Sequence, residues 1–142
     1  MLIHNHKVFI IDVLYTQDAQ EITEQALTNM LIRHNIDRCD IESNAGGRAF
    51  ARAVERILKN KGGSTAILPF TQSKNKTARI FSNAARVQES IYFPKLWHID
   101  FPTFYKDVNG YLRTGTNKHD DAPDTLTGVL ERGNKYNPNI KF

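Results

Sequence analysis

The hydrophobic pattern of this chain changes period repeatedly, and that alternation limits what it can fold into. "HKVFIIDVLY" (6–15) is rich in β-branched and aromatic residues and reads as a strand. In "TQDAQEITEQALTNMLIRHN" the apolar residues Ile22, Ala26 and Met30, with Leu27 and Leu31, recur at helical spacing instead. Asp18 followed by Glu21 has the form of a capping box, and Arg33 and His34 suit a helix C-terminus. "DRCDIES" (37–43) returns to a short strand, and "NAGG" (44–47) bends the chain sharply. "RAFARAVERILKN" places Phe50, Val54, Ile57 and Leu58 on one helical face, closed by Gly62 and Gly63. "STAILPF" (64–70) is extended again, and "KNKTARIFSNAARVQES" (74–90) is helical with Ile80, Ala84 and Val87 on one side. Strand, helix, strand, helix, strand, helices is the order of an α/β layered fold.

The remainder follows the same reading. "MLIH" before the first long strand is the end of an earlier strand, with Asn5 as its turn residue. "IYFP" (91–94) is extended, and "FPTFYKDVNGYL" is a helix limited by Pro102 and Gly110. A last helix is expected over 121–131, with Leu126, Val129 and Leu130 as its core face and Gly133 as its stop. With 142 residues, no internal repeat and no linker, one domain over 1–133 is expected, followed by a polar tail over 134–142.

Composition removes several function classes. The single cysteine, Cys39, excludes a disulfide within the chain and a Cys-rich zinc site, and points to a reducing, cytoplasmic setting. No run approaches the length of a membrane span, and the N-terminus lacks a signal-peptide layout, so no membrane partner is expected. No G-x-x-x-x-G-K-[ST] occurs, which argues against an ATPase on this chain. Neither a G-x-S-x-G nucleophile motif nor a zincin-type histidine pair is present. A net charge of +4 tilts the chain weakly toward a polyanionic partner.

Two acidic places carry the chemistry. Asp40 and Glu42 are two apart on one strand and so share a face, with Cys39 on the other; Glu42 ends the strand, where ligand sites gather in open α/β sheets. "NKHDDAPDTLTGV" (117–129) crowds Asp120, Asp121 and Asp124 into the start of the last helix, with His119 beside them. Carboxylates of this kind are oxygen ligands for Mg²⁺ or Mn²⁺, and equally they are helix caps that complement the dipole. The residues alone leave both readings open. Gly46 and Gly47 of "NAGG" either let backbone approach a phosphate at a helix start or merely permit a tight turn. Lys74, Lys76, Arg79 and Arg86 either track a DNA backbone or form a solvated helix face. The aromatics Phe81, Tyr92, Phe93 and Trp97 are read as core.

Taken together, "VFIIDVLYTQDAQEITEQAL", "DIESNAGGRAFARAVERIL", "TQSKNKTARIFSNAARVQESIYFP" and "NKHDDAPDTLTGV" resemble the C-terminal nuclease domain of phage terminase large subunits. The blocks stand in the family's order over about residues 7–131. The resemblance implies a ribonuclease H-like mixed sheet flanked by helices and a two-metal DNA endonuclease that cuts concatemeric phage DNA during packaging. It implies Mg²⁺ or Mn²⁺ as cofactor, held by Glu42 and Asp121 with Asp120 adjacent. It implies DNA contacts from Lys74, Lys76, Arg79, Asn44, Gly46 and Gly47. Double-stranded DNA, a packaging ATPase domain, a small terminase subunit and a portal are the implied partners. The family's first acid lies on a strand upstream of those seen here. The expectation is therefore a fragment that lacks the usual first strand and one metal ligand. Two functions stand side by side: an endonuclease domain, and a non-catalytic DNA-binding or packaging-assembly remnant. A ribonuclease H-like fold serving junction resolution or integration is a third.

Overall fold

The structure is a computed structural model and describes residues 1–4, 7–44, 46–112 and 117–136, without the side chains of 134–136. In chain order its elements are β1 (Leu2–His4), β2 (Lys7–Phe9), α1 (Gln20–Arg33), β3 (Arg38–Glu42), α2 (Gly47–Asn60), β4 (Ala66–Phe70), α3 (Lys76–Ser90), β5 (Ile91–Tyr92), α4 (Trp97–Asp100), α5 (Pro102–Asn109) and α6 (Asp121–Tyr136). The chain divides into two compact units. The first joins Met1–Tyr15 to the chain from Lys74 onward, and the second is Thr16–Ser73.

The first unit holds a mixed sheet in the order β1-β2-β5, antiparallel between β1 and β2 and parallel between β2 and β5. Val8 points inward from β2 and is fully buried, while Lys7 and Phe9 on either side are exposed, as strand alternation requires. Among the described residues of the strand expected over 6–15, the paired ones are Lys7–Phe9. Its partner β5 is two residues long, and the ladder ends with the Ile10 N–H on the Tyr92 carbonyl at 2.9 Å. Beyond it, Val13 and Tyr15 still pack on the core. The expected turn residue Asn5 lies outside the described residues.

That core is Val8, Ile91, Phe104, Ala122, Leu126 and Leu130. The last three recur every fourth residue along one face of α6, and each buried leucine contributes about 2 kcal/mol. Gly133, expected to stop the helix, is buried within it, and α6 runs on to Tyr136. A mid-helix glycine costs only about 1 kcal/mol, less than the packing of this leucine face supplies. Helix α4 is not foreshadowed in the sequence, since its four residues carry no readable period; Trp97 on it stacks on Phe93 at 4.0 Å between centroids.

The second unit is a β-α-β crossover. β3 and β4 lie parallel, from Arg38 opposite Ala66 to Glu42 opposite Phe70, and α2 connects them. Leu31, Ile41, Ala51, Val54 and Leu58 form its core. Helix α1 begins at Gln20 and no capping box forms, because the Asp18 carboxylate instead accepts the Thr16 hydroxyl at 2.6 Å. Its buried residues are Glu24, Thr28 and Leu31, whereas Ile22 is exposed. Glu24 accepts the Gln20 side-chain amide at 2.7 Å, and the Thr28 hydroxyl donates to the Glu24 carbonyl at 2.8 Å, so buried polar atoms here are bonded. No helix among the described residues is long and apolar enough to cross a membrane.

Candidate functional site

In the first unit, two helix starts meet through a lysine. The Asn75 side-chain oxygen accepts the Ala78 N–H at 3.0 Å and caps α3, which makes Lys76 its first helical residue. A cation there opposes the helix dipole, and α3 has no acid of its own in its first turn. The acids come from α6. Lys76 Nζ donates to Asp120 Oδ1 at 2.7 Å and to Asp121 Oδ1 at 2.6 Å. Partial burial pushes the ammonium's pKa down, but the hydrogen bonds and charges of Asp120 and Asp121 outweigh it and raise it above the ordinary lysine range. Asp120 opens α6 through its backbone carbonyl, which accepts the Asp124 N–H at 3.1 Å, while its carboxylate goes to Lys76.

One turn along α3, Arg79 is 7% exposed. Its Nη1 donates to Asp124 at 2.8 Å, and its Nη2 and Nε donate to Glu131 Oε2 at 2.8 and 3.2 Å. Arg79 is expected among the DNA contacts from the sequence. Burial and two carboxylates instead make it a tie between α3 and α6. Lys74, before the helix, is exposed. His119 is exposed beside the aspartates.

In the second unit, Glu42 ends β3 with an exposed side chain. The Asn44 amide donates to Glu42 Oε1 at 2.8 Å and to the Gln72 carbonyl at 2.6 Å, joining the turns after β3 and β4. Gly46 has φ +95°, a left-handed conformation that favours glycine, and it directly precedes α2. A β-carbon on Gly47 would overlap the Glu42 carbonyl oxygen. The close approach at Gly47 is thus made by the chain's own backbone. Asp40 is bonded to Arg38 Nε at 2.9 Å on the same face of β3. A groove of about 510 Å³ lies between α2 and β4, lined by Ser43, Arg48, Arg52, Glu55, Pro69 and Phe70 among others. Sequence reasoning passes over its two arginines. The signal is there: Arg48, Arg52 and Arg56 recur every fourth residue, and all are exposed.

The family model for the ribonuclease H-like domain of the bacteriophage T7 terminase matches residues 1–90. The chain belongs to this family. The expected terminase nuclease domain and its α/β ribonuclease H-like class therefore hold. Glu42, Asn44, Gly46, Gly47, Lys74, Lys76 and Arg79 fall inside the matched segment, and Asp120 and Asp121 lie beyond it. No curated protein and no solved structure matches the terminase domain.

Divalent metals are general in this kind of nuclease, and the Asp120–Asp121 pair suits one. A hard cation such as Mg²⁺ needs only one or two protein carboxylates, with water and phosphate completing its shell. Both carboxylates already reach one cationic nitrogen within 2.7 Å. Among the described residues of the terminase domain, no group of three or more His, Cys, Asp and Glu is gathered for a metal.

Proposed function

We propose that this terminase domain is a metal-dependent DNA endonuclease of a phage or prophage packaging machine, cutting concatemeric DNA. The observation that carries the reading is the convergence of Asp120 and Asp121 on a single cationic position at the start of α6. Asp121 is the principal ligand for Mg²⁺ or Mn²⁺, Asp120 its helper, and Glu42 a further metal-ligating acid. When bound, such an ion supplies an activated water and neutralises charge on the cleaved phosphodiester. Lys74, Asn44 and the backbone at Gly46 and Gly47 contact the DNA backbone, joined by Arg48 and Arg52. Arg79 acts at a remove, by holding α6 against α3. Double-stranded DNA is the substrate. The packaging ATPase domain, the small terminase subunit and the portal are the partners, in the bacterial host cytoplasm.

Nicking of supercoiled plasmid in Mn²⁺ tests this. Cleavage is expected, with loss on Glu42→Ala or Asp121→Ala; cleavage that survives both substitutions overturns the assigned roles. A second reading, a DNA-binding or packaging-assembly module without turnover, is favoured by Lys76 already neutralising both carboxylates. It predicts salt-dependent DNA binding and no nicking.

A further inference from the structure

We propose that Lys76 is a built-in counter-cation for the Asp120–Asp121 pair, so that a divalent ion enters only by displacing its ammonium. This rests on the endonuclease reading and adds a control on metal entry. The ammonium sits 2.7 Å from Asp120 Oδ1 and 2.6 Å from Asp121 Oδ1. A metal ion bound to the same oxygens at roughly 2.1 Å would lie almost on the nitrogen, and two cations cannot share that position. Entry of the ion and departure of the ammonium are therefore one exchange.

The surroundings permit that exchange. The Lys76 backbone is fixed at the start of α3 by the Asn75 cap, while its charge rides on a flexible four-carbon stem that is only partly buried. The packing of α3 on α6 has a second polar tie besides it. Arg79, buried one turn on, ties the same two helices through Asp124 and Glu131. A purely structural lysine would duplicate that tie. The exposed flank of Asp121 leaves a path for a hydrated ion.

Calorimetric titration of the full chain with Mn²⁺ is the test. Lys76→Met is expected to bind Mn²⁺ roughly three- to tenfold more tightly than the wild type, the scale of partly exposed ion pairs. The gain should vanish when Asp120→Asn and Asp121→Asn are added. Equal or weaker binding by Lys76→Met overturns the proposal. If Asp121→Asn still weakens binding to the wild-type chain in that case, the metal reading survives alone. Absence of Mn²⁺ binding in every variant overturns both. The unmutated chain gives an independent readout: the ¹⁵N-ammonium signal of Lys76 should shift and broaden as Mg²⁺ is added. A Lys76 signal indifferent to saturating Mg²⁺ also overturns the exchange.

Discussion

Gly47 sits against the Glu42 carbonyl so closely that no β-carbon fits between them. The first turn of α2 is thereby seated on the end of β3, at the residue that carries the Glu42 carboxylate. The obstructing atom is backbone and cannot swing aside. Gly47→Ala is expected to destabilise the chain by about 2–3 kcal/mol in denaturant unfolding, as overpacking does. Any nicking activity should fall with it, because Glu42 moves when the turn moves. An alanine variant as stable as the wild type would contradict this close approach.

Arg79 is expected to be a stability residue with no direct part in DNA affinity. Arg79→Met would leave Asp124 and Glu131 facing a half-buried void without their cation. A fully buried pair broken in this way costs about 3–5 kcal/mol; the partial exposure of both acids reduces that to about 2–3 kcal/mol. Arg79→Lys should recover less than half, since one ammonium cannot reproduce the guanidinium's bonds to both acids. Urea unfolding measures the loss, and the salt dependence of DNA binding by the folded variant should not change.

The contrast between Lys76 and Arg79 marks how far the sequence is legible. Alternating periods reveal the β-α-β order, and Glu42 before "NAGG" is readable as a strand end followed by a turn. Charge patterns are not readable in the same way. Lys76 meets Asp120 and Asp121 across 44 and 45 residues, and local spacing carries no trace of such a pairing. Arg79 resembles part of a solvated basic face because its acceptors, Asp124 and Glu131, stand on another helix. The same limit applies at Asp18, where a local bond from Thr16 replaces the capping box.

Arg48 and Arg52 offer the complementary prediction. Both are exposed on α2 and line the groove between α2 and β4. The double substitution Arg48→Ala, Arg52→Ala should weaken DNA binding and flatten the plot of log affinity against log salt by about 1.8, or roughly 0.9 for each phosphate no longer neutralised. Stability should stay within about 0.5 kcal/mol, as is usual for surface positions. Fluorescence anisotropy on a short duplex at several salt concentrations measures the slope. An unchanged slope would remove the groove from the DNA interface.

Cys39 should be slow to react in the folded chain. Burial, and then the neighbouring Asp40 charge, push its thiol pKa from 9.0 up to about 11. At pH 8 the native thiolate fraction is then roughly 100-fold below that of the unfolded chain. Alkylation by iodoacetamide at pH 8 should slow accordingly, and urea should restore the rate. The sign of the linked stability change follows. Between pH 9 and 11 the unfolded chain releases this proton while the folded chain keeps it, so stability falls as pH rises through that window. Cys39→Ala, which has no proton to release, should lose this component of the slope. Equal alkylation rates with and without urea would show that the thiol is not held in its protonated form.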